Sequence, residues 1–186
     1  MRHAQFLANA LATPWALQRE VLAAYAGILA RKLALDNDGT AVAAAPAAAR
    51  QTSPMRSGSI AVIPLCGVVM QRAGMMEMCG GGTSVQSFTA KFREALADET
   101  VSQILIEIDS PGGSVYGVSE LADEIMAARK TKPVVAIANS LAASAAYWIG
   151  CSASEFYVTP GGEVGSIGVW QAHEDWSQAL AESGVK

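Results

Sequence analysis

Two serines stand four residues apart in "PVVAIANSLAASAAYWIG", residues 133–150, where an apolar run gives way to small residues and then to alanines. At a strand-to-helix junction a serine can cap the helix through its side-chain oxygen, or it can offer its hydroxyl to a carbonyl as a nucleophile. Ser140, directly beyond the strand and beside Asn139, has the better capping pattern. Ser144 is followed by Ala145 and Ala146 before the bulky Tyr147 and Trp148, which leaves room for a substrate carbonyl. A small residue there would equally suit a helix packed closely on a sheet. A second stretch, "IEIDSPGGSV", sets Asp109, Ser110, Pro111, Gly112 and Gly113 where a strand hands over to a helix. Paired glycines let backbone N–H groups approach a ligand with no Cβ in the way, as stabilising an oxyanion requires; a tight turn needing φ > 0 would select the same residues. Spacing alone leaves both readings open.

A serine nucleophile needs a base to take its proton. Lys130 and Lys132 precede Pro133, at the far end of the strand from Ser144, and suit helix-end carbonyls better than catalysis. His173, with Asp175 two residues on, invites a Ser-His-Asp reading, yet "HED" also opens a helix in which Asp caps and His is ordinary surface. His3 and His173 are far apart and lack a carboxylate cluster, so no metal is expected. The glycine-rich "GGG" at Gly80 to Gly82 and "TPGGEVGSIG" have neither the Walker lysine nor dinucleotide spacing, so no cofactor is expected either.

The elements that must position these residues follow from periodicity. Pro14 can open a helix that carries Leu17, Val21, Leu22, Tyr25, Ile28 and Leu29 at helical spacing, which defines an N-terminal helical segment over residues 1–35. Residues 36–57 are rich in Ala, Pro and small polar residues and read as a flexible linker. The globular domain spans residues 58–186. In it, "SIAVIPLCGVVM" is a strand interrupted near Pro64, and Thr83 with Gln86 forms a capping box for the helix that follows. "VSQILIEIDS", "PVVAIA", "EFYVT" and "SIGVWQAHE" read as strands; "SVYGVSELADEIMAARK", "AASAAYWIGCSA" and "DWSQALAESG" read as helices. Alternation of this kind means an α/β fold with mainly parallel pairing.

Three stretches in order, "DSPGGSVYGVSELADEI", "ANSLAASAAYWIG" and "TPGGEVGSIGV", resemble the signal peptide peptidase family and its branch of phage head maturation proteases, over residues 58–186. The resemblance implies the spiral of β-β-α units shared with Clp protease and crotonase. It implies that Ser144 is the nucleophile and that the backbone N–H groups of Gly113 and Ala145 form the oxyanion hole. It implies a Ser-Lys dyad whose lysine lies downstream of the last motif, beyond Lys186, so that the chain as it stands is expected to lack its base and to be inactive. The implied partner is a polypeptide substrate, a scaffold or capsid-associated protein, together with further copies of the chain in a homo-oligomer. Alternatives are a bacterial signal peptide peptidase, a crotonase-like acyl-CoA enzyme without a nucleophile, and a non-catalytic capsid-assembly component.

Composition narrows the classes. The 186 residues are 51% hydrophobic and 16% charged, enough for one domain with a real core. A net charge of -4 and the absence of clustered Lys and Arg argue against a nucleic-acid partner. Cys66, Cys79 and Cys151 form no C-x-x-C pair and are odd in number, which suits a reducing cytoplasm. The apolar run from Val21 to Ala30 is too short to span a membrane. The linker offers small side chains to a shallow specificity pocket, and self-cleavage between Ala41 and Arg50 is expected of an active enzyme.

Overall fold

The computed structural model describes residues 15–17, 55–73, 81–171 and 184. Its larger sheet has the order β10-β8-β6-β3-β2, with β9 also on β8: β2 is Met55–Ser57, β3 Ile60–Cys66, β6 Gln103–Ser110, β8 Val134–Ala143, β9 Glu155–Val158 and β10 Glu163–Gly165. All its pairings are parallel except β2 with β3. The smaller sheet runs β1-β7-β4-β5, with β1 Trp15–Leu17, β4 Val68–Met70, β5 Gly82–Ser84 and β7 Gly112–Ser114. Among the described residues three helices connect strands: α1 Val85–Ala97, α2 Val118–Ala128 and α3 Ala145–Cys151. Strands and helices alternate around mostly parallel pairing, as the α/β expectation requires.

The core lies on one face of the large sheet. Alternate residues Ala61, Ile63 and Leu65 of β3, Ile104, Ile106 and Ile108 of β6, and Val134, Ala136 and Ala138 of β8 are buried there. Phe88, Phe92 and Ala95 of α1, Leu121 and Ile125 of α2, and Ala146 and Ile149 of α3 pack into the same cluster. Their spacing of three and four keeps one stripe of each helix inward.

Several local expectations change. Trp15–Leu17 is a strand on β7 and not the first helical turn; the rest of the N-terminal helix and most of the linker lie outside the described residues. Residues 55–57, assigned to the linker, form β2 and so extend the domain. β3 runs straight through Pro64, because β2 reaches only as far as Val62 and the prolyl nitrogen can face the side that no described strand covers. The cap of α1 is Ser84, whose hydroxyl accepts from Ser87 N–H at 3.1 Å; Thr83 instead ties Cys66, donating to its carbonyl at 2.8 Å. The last expected strand is displaced: β10 occupies Glu163–Gly165, while 166–169 have no regular structure. The final helix, with His173, and Lys186 lie outside the described residues.

Candidate active site

The break in β8 has a definite geometry. Ile108 pairs with Ala138, and two residues later Ser110 pairs with Ala142, four residues on, so β8 carries two extra residues at this point. Asn139 and Ser140 are exposed in that bulge, and Asn139 Nδ2 donates to Glu107 Oε1 at 2.8 Å, fastening it to β6. Ser140 therefore does not cap α3; its position in an irregular strand explains why small polar residues interrupt the apolar run. The bulge redirects the end of β8, and the chain turns into α3 at Ser144.

Ser144 itself is the N-cap of α3, with φ 54° and ψ −113°, a backbone conformation that L residues with a side chain rarely adopt. Three hydrogen bonds hold it there. Its N–H donates to the Gly165 carbonyl at 2.7 Å, its carbonyl accepts the first helical bond from Trp148 at 2.9 Å, and its Oγ donates to the Gly168 carbonyl at a long 3.4 Å. Parallel pairing of β10 with Leu141, Ala142 and Ala143 delivers the Gly165 carbonyl, and Gly168 follows three residues later in the irregular segment after β10. Ala145, the first helical residue, is fully buried, and among the described residues no carbonyl accepts from its N–H. A buried donor with no described carbonyl partner, beside a serine hydroxyl, suits an oxyanion.

Gly113 arrives from the other sheet. Ser110, buried at the end of β6, donates through Oγ to the Gly67 carbonyl at 2.6 Å and accepts from Gly112 N–H at 3.2 Å, while Gly67 N–H donates to the Asp109 carbonyl at 2.9 Å. These bonds weld the "DSPGG" turn to the turn between β3 and β4. Gly112 needs its φ of +92° to make the turn. Gly113 is required for a different reason: a Cβ there would fall on the Val69 carbonyl oxygen and 2.6 Å from the Val69 nitrogen, because the β4 backbone passes directly alongside. Close strand approach thus accounts for this glycine. β7 packs against α3, so Gly113 and Ala145 sit on contacting elements.

Lys132 is not placed to serve as the base. Its Nζ donates to the carbonyls of Ala95 at 3.1 Å and Asp98 at 2.6 Å, closing the C-terminus of α1. A separate cleft of about 560 Å³ lies between α1 and α2, lined by Gln71, Thr89 and Gly117 among others, and does not include Ser144. On its wall Arg93 makes two 2.7 Å bonds to Glu124, which raise the guanidinium pKa. Among the described residues no group of His, Cys, Asp or Glu is placed to hold a metal ion, and no helix is long and apolar enough to cross a membrane.

Ser144, singled out in the sequence by the small residues after it and given the nucleophile's role by the resemblance, lies at the junction of β8 and α3. Sequence reasoning missed Gly165 and Gly168 as supports, because carbonyl acceptors have no side-chain signature.

Comparison with known proteins points to a peptidase family. Residues 116–186 match the family described as Peptidase family S49. The chain is similar to the head-tail preconnector protein GP5 of Enterobacteria phage P21, 39% identical over 126 residues, covering 68% of this chain and 25% of that protein. It is similar to capsid assembly protease C of Escherichia phage lambda, 34% identical over 171 residues, covering 92% of this chain and 37% of that protein. Protease 4 of Salmonella typhi is 34% identical over 129 residues, covering 69% of this chain and 20% of its own length. The chain thus spans about a third or less of these relatives.

Proposed function

The chain carries a Peptidase family S49 domain, and from that premise we propose that it is a serine endopeptidase acting in the maturation of a phage prohead. Ser144 Oγ attacks the scissile carbonyl, and the N–H groups of Ala145 and Gly113 receive the charge that develops on the carbonyl oxygen. The observation that carries this reading is Ser144: a serine held at positive φ where strand turns to helix, next to a buried N–H with no carbonyl acceptor among the described residues. Strain of that kind persists only where surrounding structure enforces it, and it concentrates at sites of chemistry.

The general base in this reading is the dyad lysine that the resemblance puts C-terminal to residue 186, and positioned proton transfer of this type contributes about 10²- to 10⁴-fold. The substrate is a polypeptide of the capsid or scaffold, met in the host cytoplasm or inside the prohead, and the enzyme works as a homo-oligomer. The exposed Val164, Ile167 and Val169 around β10 supply apolar surface for self-association.

The test uses the protein produced to the length of its relatives. Ser144→Ala should abolish peptide hydrolysis while circular dichroism and sedimentation stay unchanged. Equal hydrolysis by the two proteins would overturn the assignment.

A further inference from the structure

Among the described strands β1 pairs with β7. Trp15 lies opposite Ser114, Ala16 opposite Gly113 and Leu17 opposite Gly112, in antiparallel register. On its other side β7 pairs with β4 through Val69, so among the described strands β1 takes the edge of β7 that β4 leaves. That edge belongs to the strand carrying Gly113, and β7 packs against the helix that starts at Ser144.

An open strand edge is a template for any extended chain, because the bonds that bind it come from backbone groups common to all peptides. We infer that β1 is an internal occupant of the substrate position: the chain's own N-terminal segment lies where an extended polypeptide would add a strand to β7, so substrate binds only when β1 leaves. This inference rests on the peptidase reading of Ser144 for the identity of the competitor, and only for that. The ligand class is an extended polypeptide segment running antiparallel to β7, aligned opposite Gly112, Gly113 and Ser114. A tethered competitor acts at an effective concentration on the order of millimolar, so free peptide meets a closed edge at ordinary concentrations.

The test is binding of a fluorescent peptide with the sequence of residues 12–20, ATPWALQRE, to the full chain and to the full chain carrying Ala16→Pro and Leu17→Pro. Consecutive strand N–H groups point to opposite sides, so one of the two prolines must remove a donor aimed at β7. The double variant should bind the peptide at least about tenfold more tightly than the unsubstituted chain, as expected when a competing state is removed. Hydrogen exchange at residues 112–114 should be slow in the unsubstituted chain, faster in the variant, and slow again when the variant is saturated with peptide. Equal affinities, or β7 exchange in the unsubstituted chain as fast as in the variant, would overturn the inference. Should the variant not fold, millimolar peptide added to the unsubstituted chain must speed exchange at residues 15–17 while residues 112–114 stay protected; unchanged exchange at 15–17 with peptide bound overturns the inference on its own. None of these readouts involves hydrolysis. An inactive Ser144 would leave them intact, and an active enzyme with equal affinities would sink this inference alone.

Discussion

At the scale of single residues, the site depends on a serine in a conformation that costs free energy and a glycine with no room for a side chain. A positive-φ residue of this kind stores about 1–3 kcal/mol, which glycine relieves in part while paying its own chain-entropy cost. Ser144→Gly should therefore be about 1 kcal/mol more stable than Ser144→Ala in urea unfolding, since both lose the hydroxyl and only one keeps the strain. Equal midpoints would mean that the φ of 54° is not strained in solution. Gly113→Ala gives the opposite result. Its methyl must displace the Val69 backbone, so the variant should lose at least about 3 kcal/mol and fold poorly. Activity lost in that variant would speak of the fold, and says nothing about the oxyanion. The residues alone made Ser144 and Gly113 candidates, through the alanines after the one and the paired glycines at the other, and only the resemblance gave them roles. The reason for Gly113 was not legible, since the crowding comes from Val69, more than forty residues upstream in another strand.

At the scale of elements, long apolar segments were easy to place and junctions were not. β6 and α2 follow directly from runs such as Ile104, Ile106, Ile108 and Leu121, Ala122, Ile125. The expected helix start at Ser140 failed because the polar pair Asn139 and Ser140 has the composition of a cap and the geometry of a bulge, and a bulge is defined by the partner strand. The Ser84 cap lies one residue beyond the expected Thr83 because Thr83 is drawn to Cys66 across the turn. Tertiary partners decide both cases. Ser110 is the corresponding support at the end of β6: with its hydroxyl removed, the Gly67 carbonyl and the Gly112 N–H both lose a buried partner. Ser110→Ala should cost about 1–3 kcal/mol of stability by urea unfolding and should also reduce kcat in the longer protein, because the "DSPGG" turn that sets Gly113 is loosened. A fall in stability with kcat intact would show that this turn holds the fold and does not aim the glycine.

At the scale of the whole molecule, the serine is built on a firm strand and steadied by a weak edge. β8 is flanked by β6 on one side, while its other side is covered by β9 over Val135 to Ala138 and by the three-residue β10 over Leu141 to Ala143. The carbonyls that fix Ser144 belong to Gly165 and Gly168, in a segment where Ile167 is 84% exposed and Val169 59% exposed. Little apolar burial holds that segment down, and regions of this kind open at lower free energy than the core. The core strands are held by Ile104, Ile106 and Ala136, all fully buried. Site-resolved hydrogen exchange should therefore separate two classes of amide. Those of Ile106 and Ala136 should exchange only through global unfolding, with opening free energies that fall steeply with denaturant. The Ser144 amide, bonded to the Gly165 carbonyl, should exchange through a smaller opening with little denaturant dependence, as β10 parts from β8. Movement of that edge would free the Ser144 hydroxyl from Gly168 and let it turn toward a carbonyl, so a substrate-like peptide that fills the site should slow Ser144 exchange more than core exchange. If the Ser144 amide instead exchanges together with Ile106, the edge is part of the cooperative core, and the proposed nucleophile would have to act from the rigid position in which the fold holds it.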